Sequence, residues 1–429
     1  VVAVSAVATN LTVVTILRLV VMQSTKRFLF HQERDCTMTN IYLDHSATTP
    51  VDPRVLQAMI PYFTEVYGNA SSAHYFGRNA ENAIEEARET IAAVLQCKPK
   101  EIIFTSGGSE SDNLAIRGAA WAAHTKGKGT HLITSPIEHG AVGKTIDQLA
   151  AQQGFERTIL PVDQYGFVNP DDFRAACKPG TTVASIMYAN NEIGTIQPIK
   201  ELASIAHENG VLFHTDAVQA AGQLSLDVNE LGVDLLSLSG HKFYGPKGVG
   251  ALYIRDGVEV TPAQTGGSHE RGLRAGTQNT PLIVGLAEAL RLAYEELETR
   301  TAHYKTVRDQ LIGSIIANIP NAHLTGHGSK RLPAHASFVF ENIQSGALIH
   351  LLDDEGIAAS AASACKTGSP EPSSVLLALG YSRELAACTL RLTVGVQTKP
   401  QDIDYTVKTL ATVVKSLIQQ PASAQPVLA

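Results

Sequence analysis

From Ile41 onward, apolar residues gather in short runs separated by polar, turn-rich stretches. Six of these runs, residues 101–105, 130–134, 182–188, 211–215, 233–238 and 248–254, have strand length and strand-forming side chains. Between most of them the apolar positions repeat with a helical period. Ala80, Ile84, Ala87, Ile91 and Val94 predict an amphipathic helix over residues 78–96, and residues 200–209 predict another. Strands alternating with helices predict an α/β fold, a mostly parallel sheet sandwiched by helices. After about residue 295 the texture changes. A long helical segment over 288–319 leads into an α+β region ending near Ile418. The pattern divides the chain into a large domain over residues 51–294 and a smaller α+β domain over residues 38–50 plus 295–419. Residues 420–429, rich in Pro, Ala and Gln, read as a frayed tail.

The first 37 residues do not share this texture. Val1 to Val21 is apolar with only Arg18 charged, and no acid precedes Glu33. A signal or anchor carries its basic residues before the apolar run, whereas Lys26 and Arg27 follow it. An organellar transit peptide fits the missing acids but not the sparse arginines. The reading adopted is an upstream extension of the reading frame, non-native or disordered, with Met38 as the natural start.

Composition narrows the class. The chain has 429 residues, 44% apolar and 17% charged, enough for a large core. The net charge of −7, with no long Lys/Arg run, argues against nucleic acid as a direct partner. Cys36, Cys97, Cys177, Cys365 and Cys388 are odd in number and widely spaced, with no CxxC or HExxH. Neither a disulfide framework nor an intrinsic metal site is expected, and a reducing cytoplasm is.

Candidate chemistry lies at the ends of the predicted strands, where open α/β sheets bind ligands. Ser239-Gly240-His241-Lys242 ends the run at 233–238. A lysine there loses hydration, its pKa falls, and the neutral amine can form a Schiff base with an aldehyde. The ordinary alternative is a solvated lysine. Asp216 ends the preceding run, in His214-Thr-Asp-Ala-Val-Gln219. A buried aspartate needs a cation, and a pyridinium nitrogen is one; a structural Arg or Lys is another. Thr105-Ser-Gly-Gly108-Ser109-Glu-Ser-Asp-Asn113 joins a strand to a helix. Its glycines and free N–H groups suit a phosphate, though a plain turn with Ser109 as N-cap reads equally well. Pro246 in Gly240-His-Lys-Phe-Tyr-Gly-Pro-Lys247 stands where a nucleotide P-loop needs lysine, so that reading fails.

Five further stretches carry possible chemistry. His139, in Pro136-Ile-Glu-His-Gly140, can stack on a ring and move protons, or merely be solvated. In Asn190-Asn191-Glu192-Ile-Gly194 a carboxamide can bond a phenolic oxygen or a carboxylate, or serve the turn. Residues 265–277, rich in Gly and basic side chains and ending at Thr277, suit an anion, including one held by a second subunit. Cys365 sits among small, polar, Pro and Gly residues from Ser360 to Ser374, the composition of an exposed loop. An exposed thiol there invites a functional reading, against that of a chance loop cysteine. Arg391, in Leu390-Arg-Leu-Thr-Val-Gly395, can fork onto an α-carboxylate.

Together with Tyr42-Leu-Asp-His-Ser-Ala-Thr-Thr-Pro50, these stretches closely resemble the NifS/IscS-type cysteine desulfurases, fold-type I enzymes that use pyridoxal 5'-phosphate (PLP). The resemblance runs from about Ile41 to about Gln419. It implies a seven-stranded sheet and a homodimer. Lys242 resembles the PLP-holding lysine, Asp216 the pyridinium partner, and Gln219 and Asn191 the contacts to the ring hydroxyl. His139 resembles the stacking histidine. Gly108, Ser109, Ser239 and His241 match the phosphate cradle, with Thr277 reaching it from the other subunit. Arg391, with Asn191, matches the substrate-carboxylate site, and Cys365 the sulfur acceptor that becomes a persulfide as L-cysteine becomes L-alanine. The acceptor loop matches the NifS/IscS branch by its length. The implied partners are sulfur-accepting proteins such as an iron–sulfur scaffold, whose cluster Cys365 can contact transiently, and neither nucleic acid nor membrane. A selenocysteine lyase or another PLP aminotransferase-like enzyme is the alternative. Three positions depart from the family pattern: Gly108-Ser109 where Ala-Thr is common, Val396 where Arg is frequent, and Lys366-Thr-Gly-Ser-Pro370 in the loop.

Overall fold

The computed structural model describes residues 40–361 and 372–419. The expectations for residues 1–37, for Cys365 and its loop, and for the tail at 420–429 lie outside these.

Twelve strands are described: β1 Ile41–Tyr42, β2 Ile102–Thr105, β3 His131–Thr134, β4 Glu156–Ile159, β5 Thr181–Ser185, β6 Leu212–Asp216, β7 Leu235–Ser239, β8 Gly250–Ile254, β9 Ala322–Leu324, β10 His335–Phe340, β11 Ile357–Ala358 and β12 Thr389–Thr393. Seven form one sheet, in the order β2-β8-β7-β6-β5-β3-β4. Neighbours from β7 through β4 pair parallel, and β8 runs antiparallel to both β7 and β2. So β2, β3, β5, β6 and β7 all end at one edge. Six strands match the predicted runs. The seventh, β4, has the sequence Glu-Arg-Thr-Ile and is largely exposed, because it is an edge strand with no apolar alternation to betray it.

Both faces of the sheet are covered, so its central strands are buried at nearly every position rather than at alternate ones. Ile102, Phe104, Leu236 and Leu238 pack on one side with Ile84, Ile91, Leu286 and Leu290 of the helices Tyr75–Leu95 and Thr280–Glu295. Ile103, Leu235 and Leu252 face the other side, against Leu114 and Ala115 of the helix Gly108–Thr125. Truncating one of these buried leucines to Ala costs about 2–5 kcal/mol.

The single long helix expected over 288–319 is two helices, Thr280–Glu295 and Leu297–Asn318, broken at Glu296. The break places Glu296 against Arg54 at 2.5 Å and Arg300 at 2.6 Å. The helix Leu297–Asn318 lays Val307, Leu311 and Ile315 on a separate apolar cluster with Phe338, Leu390 and Leu410. This cluster surrounds a three-stranded antiparallel sheet, β12-β10-β9. The short β1 pairs with β11, and Ile41 of β1, the adjoining Leu43 and Ile357 of β11 belong to the same cluster. No helix among the described residues is long and apolar enough to cross a membrane.

Candidate active site

Lys242 closes a short 3-10 turn, Gly240–Lys242, that begins where β7 ends. Its Nζ donates to the carbonyls of Ser46 at 2.5 Å and Ala47 at 2.7 Å. Burial brings its pKa down to about 8, with Arg391 adding to the effect and Asp44 and Asp216 opposing it. Gln219 Nε2 donates to the same Ser46 carbonyl at 3.0 Å. The segment 42–50 thus lies across the lysine. Thr49 fastens it further, donating N–H to the His241 carbonyl at 2.9 Å. His241 itself sets Nδ1 3.2 Å from Thr48 Oγ1, and burial pushes its pKa down to about 4, so the ring is neutral.

Asp216 stands at the end of β6, buried, with Oδ1 accepting the Val218 N–H at 2.9 Å. Burial raises its pKa, while His139 and Lys242 pull it back. Asp112, from the helix Gly108–Thr125, is buried beside it and raised by desolvation first and by Asp216 second. Its Oδ1 is buried with no hydrogen-bond partner among the described residues, and His214 Nε2 lies 3.7 Å from it. His139 joins the pair from the exposed side: one ligand atom each from Asp112, His139 and Asp216 lie within 4.8 Å of one another. His139 caps the helix Gly140–Gln153, its Nδ1 accepting the Ala141 N–H at 3.2 Å.

The glycine turn also differs in detail from expectation. The helix N-cap is Gly107, not Ser109, which is the second helical residue and exposed. Gly107 has φ of 151°, a conformation that glycine allows and other residues resist. A Cβ at Gly107 would sit 3.7 Å from Ser239 Oγ, and one at Gly108 only 2.7 Å from Val218 Cγ2. The glycines therefore keep open a concavity bounded by Ser239, Val218 and the first-turn N–H groups of an 18-residue helix. Those N–H groups have no intrahelical acceptor and favour an anion.

Arg391 reaches the same edge from β12. Nη1 donates to the Asn191 carbonyl at 2.9 Å, Nη2 meets Asp44 Oδ1 at 2.9 Å, and the buried Nε has no partner among the described residues. Asn191 was expected to act through its carboxamide; here its backbone carbonyl is engaged, by Arg391 and by His335 Nε2 at 3.1 Å. The turn alternative holds for its neighbour: Asn190 Oδ1 accepts the N–H groups of Glu192 at 2.8 Å and Ile193 at 2.9 Å.

The site holds residues to which the sequence reading assigned nothing. Asp44, Ser46 and Ala47 lie in a quoted motif, but two of them act through carbonyls, which composition does not mark. Glu138 has Oε1 on Ser135 Oγ at 2.5 Å and Met187 N–H at 3.1 Å, and a buried Oε2 without partner among the described residues. Burial lifts it to about 8. Glu192 is lifted to about 7 by the same cause. Each of the two stands next to an isoleucine (Ile137, Ile193), the one signal of burial the sequence offered. Thr277 is exposed, and among the described residues no contact joins it to this cluster.

These residues fit PLP. A lysine with a lowered pKa, a buried carboxyl short of a cation, and a glycine-lined helix terminus match the aldehyde, the pyridine nitrogen and the phosphate of one planar molecule.

Comparison with known proteins gives the same answer. Residues 41–406 match the family model described as Aminotransferase class-V. Over 377 residues the chain is 48% identical to a protein named cysteine desulfurase IscS from Dictyoglomus turgidum, covering 88% of this chain and 95% of that one. It is 50% identical over 377 residues to a cysteine desulfurase IscS from Methanosarcina thermophila, covering 88% and 92%. Among solved structures, one titled NifS-like protein superposes with a TM-score of 0.82 at 38% identity, covering 88% of this chain and all of that one. With a family model matching residues 41–406 and relatives matched nearly end to end, this chain belongs to the class-V aminotransferase family of PLP enzymes, in its IscS/NifS branch.

Proposed function

We propose that the chain is a PLP-dependent cysteine desulfurase, converting L-cysteine to L-alanine and passing the sulfur to Cys365 as a persulfide. The observation that carries this reading is the pairing of Lys242, its pKa near 8, with the buried carboxyl of Asp216 at adjacent strand ends. Relatives over nearly the whole chain bear the name cysteine desulfurase.

Bound PLP supplies an electron sink for the α-carbon of the substrate. Lys242 would hold it through Nζ, and the same nitrogen, when free, would be the base that takes the α-proton. Asp216 presents negative charge to the ring nitrogen and keeps it protonated. His139 covers the ring from the exposed side. Gly108, Ser109, Ser239 and His241 hold the phosphate, and Gln219 and Asn191 the ring hydroxyl. Arg391 takes the substrate carboxylate. The Cys365 thiolate attacks the substrate sulfur: an S–S bond forms, the C–S bond breaks, and its electron pair stays on carbon, which takes up a proton.

The enzyme works as a cytoplasmic homodimer, with Thr277 reaching the partner's phosphate, and delivers sulfur to acceptor proteins such as an iron–sulfur scaffold. Support for the dimer comes from the surface. Phe63, Tyr67, Tyr75 and Phe76 are all exposed within one stretch, Tyr67 and Phe76 stacked at 5.6 Å, an apolar patch of the kind that marks interfaces.

The test is direct. The purified holoenzyme given L-cysteine should release alanine in step with persulfide, located on Cys365 by mass spectrometry. Cys365→Ser should abolish persulfide, and Lys242→Ala should lose both products and the visible absorption of the bound cofactor. A requirement for a keto acid, or persulfide formed at the normal rate in Cys365→Ser, would sink the assignment.

A further inference from the structure

Arg274 and Glu110 meet where the glycine turn enters the helix Gly108–Thr125. Arg274 Nε donates to Glu110 Oε1 at 2.8 Å and Nη2 to Oε2 at 3.4 Å, and the two side chains are only 20% and 22% exposed. Glu110 Oε2 also accepts the Ser106 N–H at 2.6 Å, so the carboxylate folds back over the entry to the turn. Glu110 is the acidic residue of the helix's first turn. Burial alone would raise its pKa, but Arg274 and Ser106 hold it below the usual carboxylate range, so it is ionised. Among the described residues, Arg274 is the one cation within ion-pair distance of it.

Arg274 is held in place from both sides. Four residues before it, Glu270 accepts the N–H of Phe104, in β2, at 2.9 Å. One residue after it, the Ala275 carbonyl accepts Gln264 Nε2 at 2.9 Å, and the Ala275 N–H donates to the Gln264 carbonyl at 3.4 Å. Thr105, the last residue of β2, leads straight into Ser106 and Gly107. The guanidinium is therefore fastened to the same strand, turn and helix that bound the glycine-lined concavity. A carboxylate in the first turn of a helix draws on the same positive helix end that a phosphate needs. Left unpaired, the charge of Glu110 would also repel the phosphate directly.

We propose that Arg274 is a positioning residue for the cofactor: by pairing with Glu110 it cancels the negative charge beside the phosphate cradle and fixes the Ser106–Gly107 entry to it. The inference rests on the proposed role of Gly108, Ser109, Ser239 and His241 in holding the PLP phosphate, and deepens that reading. It separates the phosphate from the rest of the cofactor. Arg274 bears on the phosphate, whereas Lys242 and Asp216 recognise the aldehyde and the ring nitrogen.

The experiment compares two probes on the full-length protein freed of cofactor: PLP, and pyridoxal, which has the same ring and aldehyde but no phosphate. The visible absorption that develops on binding reads the affinity for each. Arg274→Met should weaken PLP roughly five- to thirtyfold and pyridoxal less than about twofold. The loss for PLP should shrink as salt rises from about 0.1 to about 1 M. Glu110→Gln keeps an acceptor for Ser106 and should bind PLP no more weakly than the unaltered protein. Combined with Arg274→Met it should recover most of the loss, since no charge is then left to cancel. Normal PLP affinity in Arg274→Met, equal losses for the two probes, or a double variant as weak as Arg274→Met would each overturn the inference. The last is the result expected if Arg274 served only to present Thr277. If Arg274→Met does not fold, the double variant decides: PLP bound within about threefold of normal supports the inference, and a larger loss overturns it. Equal affinity of the unaltered protein for PLP and pyridoxal would instead overturn the proposed phosphate cradle.

Discussion

Asp44 Oδ1 lies 2.9 Å from Nη2 of Arg391, joining the segment that covers Lys242 to the strand that supplies the arginine. The guanidinium is thus part-neutralised from within, with only Nε unpartnered among the described residues. A substrate carboxylate must share or displace Asp44. Arg391→Ala should therefore raise KM for L-cysteine by roughly tenfold or more, the worth of a charge-assisted bond. Steady-state kinetics across substrate concentration check it; a changed kcat at constant KM would contradict it.

Asp44 also acts on the lysine. Its carboxylate holds the Lys242 pKa up against burial and Arg391. Asp44→Asn removes that support, so the pKa should drop below about 8. The readout is the pH dependence of PLP uptake by cofactor-free protein. Only the neutral amine attacks the aldehyde, so the rate should rise with pH and level off above about 8, and level off lower in Asp44→Asn. An ordinary lysine would keep gaining until about 10.4.

Glu138 links site and stability. Its pKa rises on folding from 4.5 to about 8. Between those values the folded state binds more protons than the unfolded one, so stability falls as pH rises, by up to about 1.4 kcal/mol per pH unit from this group. Below 4.5 its contribution is fully present; above about 8 it is lost. Glu138→Gln should flatten the decline of melting temperature between pH 5 and about 8. Parallel curves for both proteins would show that Glu138 does not titrate as described.

Glu270 holds the stretch leading to Thr277. Its buried carboxylate takes both terminal nitrogens of Arg88, at 2.8 and 3.1 Å, and the Phe104 N–H at 2.9 Å. Glu270→Ala leaves the buried Arg88 with only Glu85 at Nε and the Ile102 carbonyl at Nη1, and should cost up to about 3 kcal/mol. Urea unfolding measures it. Glu270→Gln, which keeps acceptor capacity but no charge, should cost less.

The order of strands and helices was legible because each buried strand carries an apolar run that ends at a polar residue. Lys242, Asp216, Gly107 and Gly108 stood out for the same reason, as polar or glycine residues where such a run stops. The exposed strand β4 and the helix break at Glu296 were not legible. An edge strand is defined by a neighbour's hydrogen bonds, and the break is held by ion pairs to Arg54 and Arg300. The roles of Ser46 and Ala47 were hidden, since any residue offers a carbonyl.

The sequence alone determined which residue types stand at the ends of which strands, and with them the cofactor chemistry and the family. That information is local: period, strand length and the residue that terminates a run. Only the tertiary structure decided what surrounds each group. Burial and the charge of Arg391, opposed by Asp44 and Asp216, bring Lys242 to about 8, and the contact of Ser373 with Glu192 spans 181 positions. Electrostatic environment and long-range hydrogen bonds depend on distance in space, which the order of residues along the chain does not specify.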